Sequence, residues 1–90
     1  MRELFLNTRS LRDEQGRERH YDYSIIIDEM DVGPYTCESY GLQVREPESG
    51  ESCTVPHITC SISRIDELCT LVITHGVTPI TLEDVVKDWL

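Results

Sequence analysis

The sequence predicts an α+β domain: an antiparallel β-meander of about four strands over residues 1–58, then two C-terminal α-helices over residues 59–90 packed on one sheet face. Three observations carry this. Apolar side chains recur at every second position from Tyr21 to Ile27, which is the period of a half-buried strand. Beyond Thr59 they recur at three- and four-residue steps, which is the period of a helix. At 90 residues the chain encloses one core and no more, so residues 1–90 form a single domain.

The elements follow in order. Leu4, Phe5 and Leu6 form a short apolar run followed by polar and basic residues up to Arg12, as in an edge strand guarded by charge. Asp13-Glu14-Gln15-Gly16 is a turn, with the aspartate bonding its own backbone and the glycine in the left-handed conformation. The second strand has Tyr21, Tyr23, Ile25 and Ile27 on one face. Ile26 interrupts the polar face, so the middle of this strand is expected to be covered on both sides.

Val32-Gly33-Pro34 ends that strand, and the third changes phase: Tyr35 and Cys37 are odd, whereas Tyr40, Leu42 and Val44 are even. A kink or bulge near Ser39 to Gly41 would reconcile the two sets. A polar loop over residues 46–51 leads to a short fourth strand, Cys53 and Val55 alternating with Ser52 and Thr54, which Pro56 is expected to stop. In the first helix Ile62, Ile65, Leu68, Cys69, Val72 and Ile73 make the apolar stripe. Ser61 or Ser63 caps its start, Asp66 and Glu67 favour the positive end of its dipole, and Gly76 with Val77 closes it as a Schellman motif. Thr81 opens the last helix, whose Leu82, Val85, Val86 and Trp89 face the core.

Charge narrows the partners. The chain carries a net charge of −9, unevenly spread: the first 20 residues hold five arginines against four acids, and the remaining 70 hold three basic residues against 13 acids. A phosphate backbone or an anionic membrane would be repelled by that larger part, so neither nucleic acid nor membrane is an expected partner. The sequence lacks an apolar run of about 18 residues, and the opening Met1-Arg2-Glu3-Leu4-Phe5-Leu6-Asn7 is too short in its apolar part for a secretory signal. The expected compartment is the cytoplasm. There Cys37, Cys53, Cys60 and Cys69, whose spacings match neither CxxC nor a disulfide framework, are expected to stay reduced.

Of the residue types that carry chemistry, Cys53, His57 and Cys60 form a C-x3-H-x2-C cluster that Cys69 could complete as a fourth zinc ligand. The spacing is unlike the usual two-plus-two arrangement, and buried cysteines serve readily as small hydrophobes, so no metal or cofactor is expected. A nucleophilic pair of Cys60 and His57 lacks an orienting third group in the sequence. Asp28, Glu29 and Asp31 lack the spacing of a calcium loop and read as a solvated strand end. The chain contains neither a phosphate-binding glycine loop nor a nucleophile elbow, and His20 and His75 stand singly at element ends. Tyr21, Tyr23, Tyr35 and Tyr40 are the candidate contact residues, as an aromatic platform or as rings divided between core and interface.

From Tyr21 to Leu90 the chain carries Tyr40-Gly41, then Val55-Pro56-His57-Ile58-Thr59 with Ser61-Ile62-Ser63, and an ending with Gly76-Val77-Thr78-Pro79, Thr81-Leu82, Asp84-Val85-Val86 and Asp88-Trp89-Leu90. In these residues it resembles a family of small, uncharacterised bacterial proteins, a domain of unknown function. The resemblance implies a small bacterial cytoplasmic protein and brings no catalytic role or ligand. Cys53, Cys60 and Cys69 lie outside its motif. The expected function is therefore a non-catalytic protein-interaction module, self-associating or holding a protein partner. The alternative is a metal- or small-ligand-binding protein built on Cys53, His57 and Cys60.

Overall fold

In a computed structural model, which describes residues 2–90, the chain forms four strands and two helices; Met1, where the leader reading begins, lies outside the described residues. The strands are β1 (Arg2–Arg12), β2 (Glu18–Val32), β3 (Tyr35–Glu46) and β4 (Glu51–Thr59), and the helices α1 (Ile62–Thr74) and α2 (Leu82–Trp89). The strands make one antiparallel sheet in sequence order, so β1 and β4 are its edges. Both helices pack on one face, and no helix among the described residues is long and apolar enough to cross a membrane.

The β1–β2 turn forms as its residues dictate. Asp13 accepts backbone hydrogen bonds from Gln15 and Arg17 at 2.9 Å, and Gly16 takes a φ of +77°. Directly paired residues of antiparallel strands share a face. Tyr21, Tyr23, Ile25 and Ile27 of β2 therefore stand with Tyr40, Leu42 and Val44 of β3 beneath the helices, where they meet Ile65, Leu68, Cys69 and Val72 of α1 and Leu82 and Val86 of α2. Tyr23 is 1% exposed, and its hydroxyl donates to the carbonyl of Val77 at 2.9 Å, tying the sheet to the interhelix loop.

Helix α1 is capped by Ser61, whose hydroxyl accepts from the Arg64 amide at 3.3 Å; Asp66 and Glu67 lie beyond its first turn. The Gly76 and Val77 amides donate to the carbonyls of Ile73 and Val72, completing the Schellman motif with Gly76 at φ +60°. Arg9 of β1 donates to the Ile73 and Thr74 carbonyls, supplying a cation at the negative end of α1 from a strand that no local pattern links to it. Thr81 precedes α2 as expected, yet its hydroxyl bonds back to Thr78 instead of capping the helix. Trp89 is half-buried, with the Arg64 guanidinium 4.2 Å from its ring centre.

Two expectations require correction. The ladder between β2 and β3 runs from Asp22–Arg45 to Val32–Tyr35 without a shift, so β3 contains no bulge. Its phase change is real: Tyr35, Cys37, Ser39 and Gly41 face away from the helices, and Tyr40, Leu42 and Val44 face toward them. Nor does Pro56 end β4. Between the pairs Leu42–Val55 and Tyr40–Thr59, β3 advances two residues and β4 advances four, so β4 bulges through Pro56 and His57 and resumes. As an edge strand it tolerates a proline there.

Candidate functional site

The bulge shapes the sheet face that no helix covers. An ideal Cβ on Gly41 would stand 2.3 Å from the Val55 carbonyl oxygen and 2.7 Å from the Pro56 Cα, so the β4 backbone lies directly on β3 at this glycine. Only a residue without a side chain permits that approach. Ile26, paired with Gly41 on the same face, is 1% exposed although it lies outside the helix-covered core, and β4 reaches β2 here across β3. The bulged edge strand thus gives this face a local cover around Gly41.

His57 sits at the crest of the bulge with φ +54°, a left-handed conformation that L-residues adopt at a cost. Its Nε2 lies 3.9 Å from Oδ2 of Asp28, two strands away. Beneath it Ser39, paired with Asp28, is 1% exposed, and its hydroxyl has no hydrogen-bond partner among the described residues. A serine, a histidine and an aspartate therefore share one face without forming a nucleophilic relay: the hydroxyl is buried under the bulge, and the imidazole and carboxylate stand beyond hydrogen-bond reach of one another.

The four cysteines divide between the faces. Cys53, paired with Val44, points toward the helices, where burial raises its thiol. Cys69 is buried in α1 and pushed up to about 12 by the same desolvation. Cys60, exposed just before α1, is on the opposite face, with its Sγ 3.8 Å from that of Cys37 on β3. The hydrogen bond with Cys60 raises the thiol of Cys37. The candidate ligand set Cys53, His57, Cys60 and Cys69 is thereby split in two by the sheet, and no three of the described histidines, cysteines, aspartates and glutamates gather around one point. The spacing placed these residues close along the chain, but alternation across the pleat sends Cys53 and Cys60 to opposite sides.

The tyrosines divide as well. Tyr21, Tyr23 and Tyr40 are core residues, so an aromatic platform of four rings does not exist. Their period-two spacing marked the buried face of the strands. Tyr35, 75% exposed beside the Gly33-Pro34 turn, is the one of the four that offers its ring to a partner.

A last cluster closes the sheet end beside the β3–β4 turn. Glu46, 2% exposed, accepts from Arg19 at 2.9 Å, and Arg19 also meets Asp13 at 3.1 Å. A hydrogen bond from Ser49, then those from Tyr21 and Arg19, hold the Glu46 carboxyl below its usual range. The depression around it is open and lined by Arg17, Glu18, Arg19, Glu46, Glu48 and Ser49, with Arg19 engaged by both Glu46 and Asp13.

Fold and site together define a small α+β sheet domain with two helices on one face and, on the other, a bulged edge strand lying against β3 at Gly41. The chain belongs to a family of unknown function (DUF6514), whose profile matches residues 2–90. No curated protein and no solved structure matches it.

Proposed function

We propose that this protein is a non-catalytic interaction module that associates with a second copy of itself through β1. The observation that carries the reading is the edge: β1, 11 residues long, pairs with β2 alone, through ten residues with a register shift between Phe5 and Asn7, and holds Leu4 and Phe5 at 52% and 57% exposure. A partly apolar edge strand with its outer side open is a template for another strand.

Charge favours a twofold arrangement. In antiparallel pairing of β1 with its copy, the half carrying Arg12 meets the half carrying Glu3, behind which Asp28 and Glu29 stand on β2; Arg9 is held at the end of α1, and Arg2 is paired with Glu38. Such a contact is isologous and closes at two subunits. It is small beside the ~1,200 Å² of a stable interface, so association is expected in the micromolar range and to weaken with salt. The setting we propose is the bacterial cytoplasm, whose glutathione pool holds thiols reduced at rest.

Sedimentation velocity across concentration and salt tests the proposal. The expected result is a dimer at low salt that dissociates as salt rises, and a Leu4→Lys, Phe5→Lys variant that is monomeric throughout. A wild-type chain that stays monomeric at low salt, or a dimer indifferent to the variant, overturns it.

A further inference from the structure

We infer that Cys37 and Cys60 form a reversible thiol–disulfide site, closed by a small-molecule disulfide such as oxidised glutathione. The inference is independent of self-association. It rests on a juxtaposition that the chain does not favour by proximity: the two residues are 23 positions apart, whereas Cys53 and Cys69 lie 7 and 9 positions from Cys60. Yet the two sulfurs that meet, at 3.8 Å, are those of Cys37 and Cys60. A disulfide requires ~2.05 Å, a gap that side-chain rotation closes where the backbone has room. Cys60 has that room, at the bend between β4 and α1 with its side chain in solvent.

Accessibility assigns the roles. Cys60 is the exposed thiol of the four, while Cys53 faces the helices and Cys69 is buried in α1. The Cys60 thiolate attacks one sulfur of the oxidised glutathione. Its S–S bond breaks, one glutathione thiolate leaves and takes up a proton, and a mixed disulfide remains on Cys60. Cys37 then loses its proton and attacks Cys60 Sγ, which expels the second glutathione. Two protein thiols are oxidised and one glutathione disulfide is reduced to two thiols, so the exchange balances and runs backward in excess reduced glutathione.

The bond would fasten the joint between β4 and α1 to β3, over the bulge that closes on Gly41 and Ile26. Its structural readout is therefore slower hydrogen exchange in the β4–α1 joint.

The test is titration of the native protein with oxidised glutathione, followed by acid quench, alkylation and peptide mapping under non-reducing conditions, with a urea-unfolded sample alongside. The expected native product has lost two hydrogens, retains two alkylatable thiols, and carries the Cys37–Cys60 link. The unfolded chain is expected to favour the sequence-near links Cys53–Cys60 and Cys60–Cys69. Cys60→Ser, a change at an exposed position, should abolish closure of the native protein. A native product that stops at a stable glutathione adduct, links Cys60 to Cys53 or Cys69, or matches the unfolded distribution overturns the inference.

Discussion

Replacing Gly41 with alanine is the sharpest probe of how the helix-free face is sealed. The new Cβ would lie 2.3 Å from the Val55 oxygen and 2.7 Å from the Pro56 Cα, both backbone atoms. Restoring even a 3.0 Å contact means moving the β4 backbone by 0.7 Å against its pairing with β3. Overpacking of this kind costs ~1–3 kcal/mol, and with no flexible side chain to yield the expected value is the upper end, about 3 kcal/mol. For a chain of this size that lowers Tm by ~12–24 °C.

Gly50→Ala isolates the other penalty of losing a glycine. Gly50 has φ +78° and nothing within 4 Å of an added Cβ, so only the left-handed strain of about 1 kcal/mol applies. Urea unfolding followed by far-ultraviolet circular dichroism and Trp89 fluorescence gives both values on one scale. A Gly41→Ala loss below ~0.5 kcal/mol, or smaller than that of Gly50→Ala, would refute the argument that β4 lies on this glycine.

Two further outcomes follow from the packing and the charges. Tyr23→Phe leaves the Val77 carbonyl without its buried donor and should cost ~1–2 kcal/mol in urea unfolding, a loss that a wild-type midpoint would contradict. Glu46 has its folded pKa lowered from 4.5, chiefly by Ser49 and then by Tyr21 and Arg19. Its contribution to stability is therefore complete above about pH 4.5 and lost as pH falls through the folded value, the unfolded state binding the proton first. Unfolding midpoints from neutral pH downward should fall more steeply below pH 4.5 in the wild type than in Glu46→Gln, and parallel acid limbs would remove Glu46 from the account.

Local signals were legible where one residue's own chemistry decides the backbone. The Asp13–Gly16 turn, the Ser61 cap and the Gly76–Val77 closure all formed as their residue types require, and the switch from period two to period three-and-four separated sheet from helices. Those patterns are repeated along the chain, so the α+β class followed from them. Gly41 was also marked as irregular. Its meaning was misplaced, because a glycine in a strand reports that another backbone comes close without saying which one supplies the extra residues.

What the sequence by itself determined, then, is the order of elements, the alternation that sets the two faces of β2 and the acidic balance of the chain. The tertiary structure decided everything that depends on register. The bulge in β4 buries Ile26 and Ser39 on a helix-free face, Arg9 reaches the end of α1 across 64 positions, Tyr21, Tyr23 and Tyr40 enter the core while Tyr35 stays outside, and Cys60 meets Cys37 instead of its nearer neighbours. The physical reason is the same each time. Side chains alternate across a pleat, so a shift of one residue in pairing reverses which side chains meet, and the residues that set the shift lie on a different strand from those it brings together.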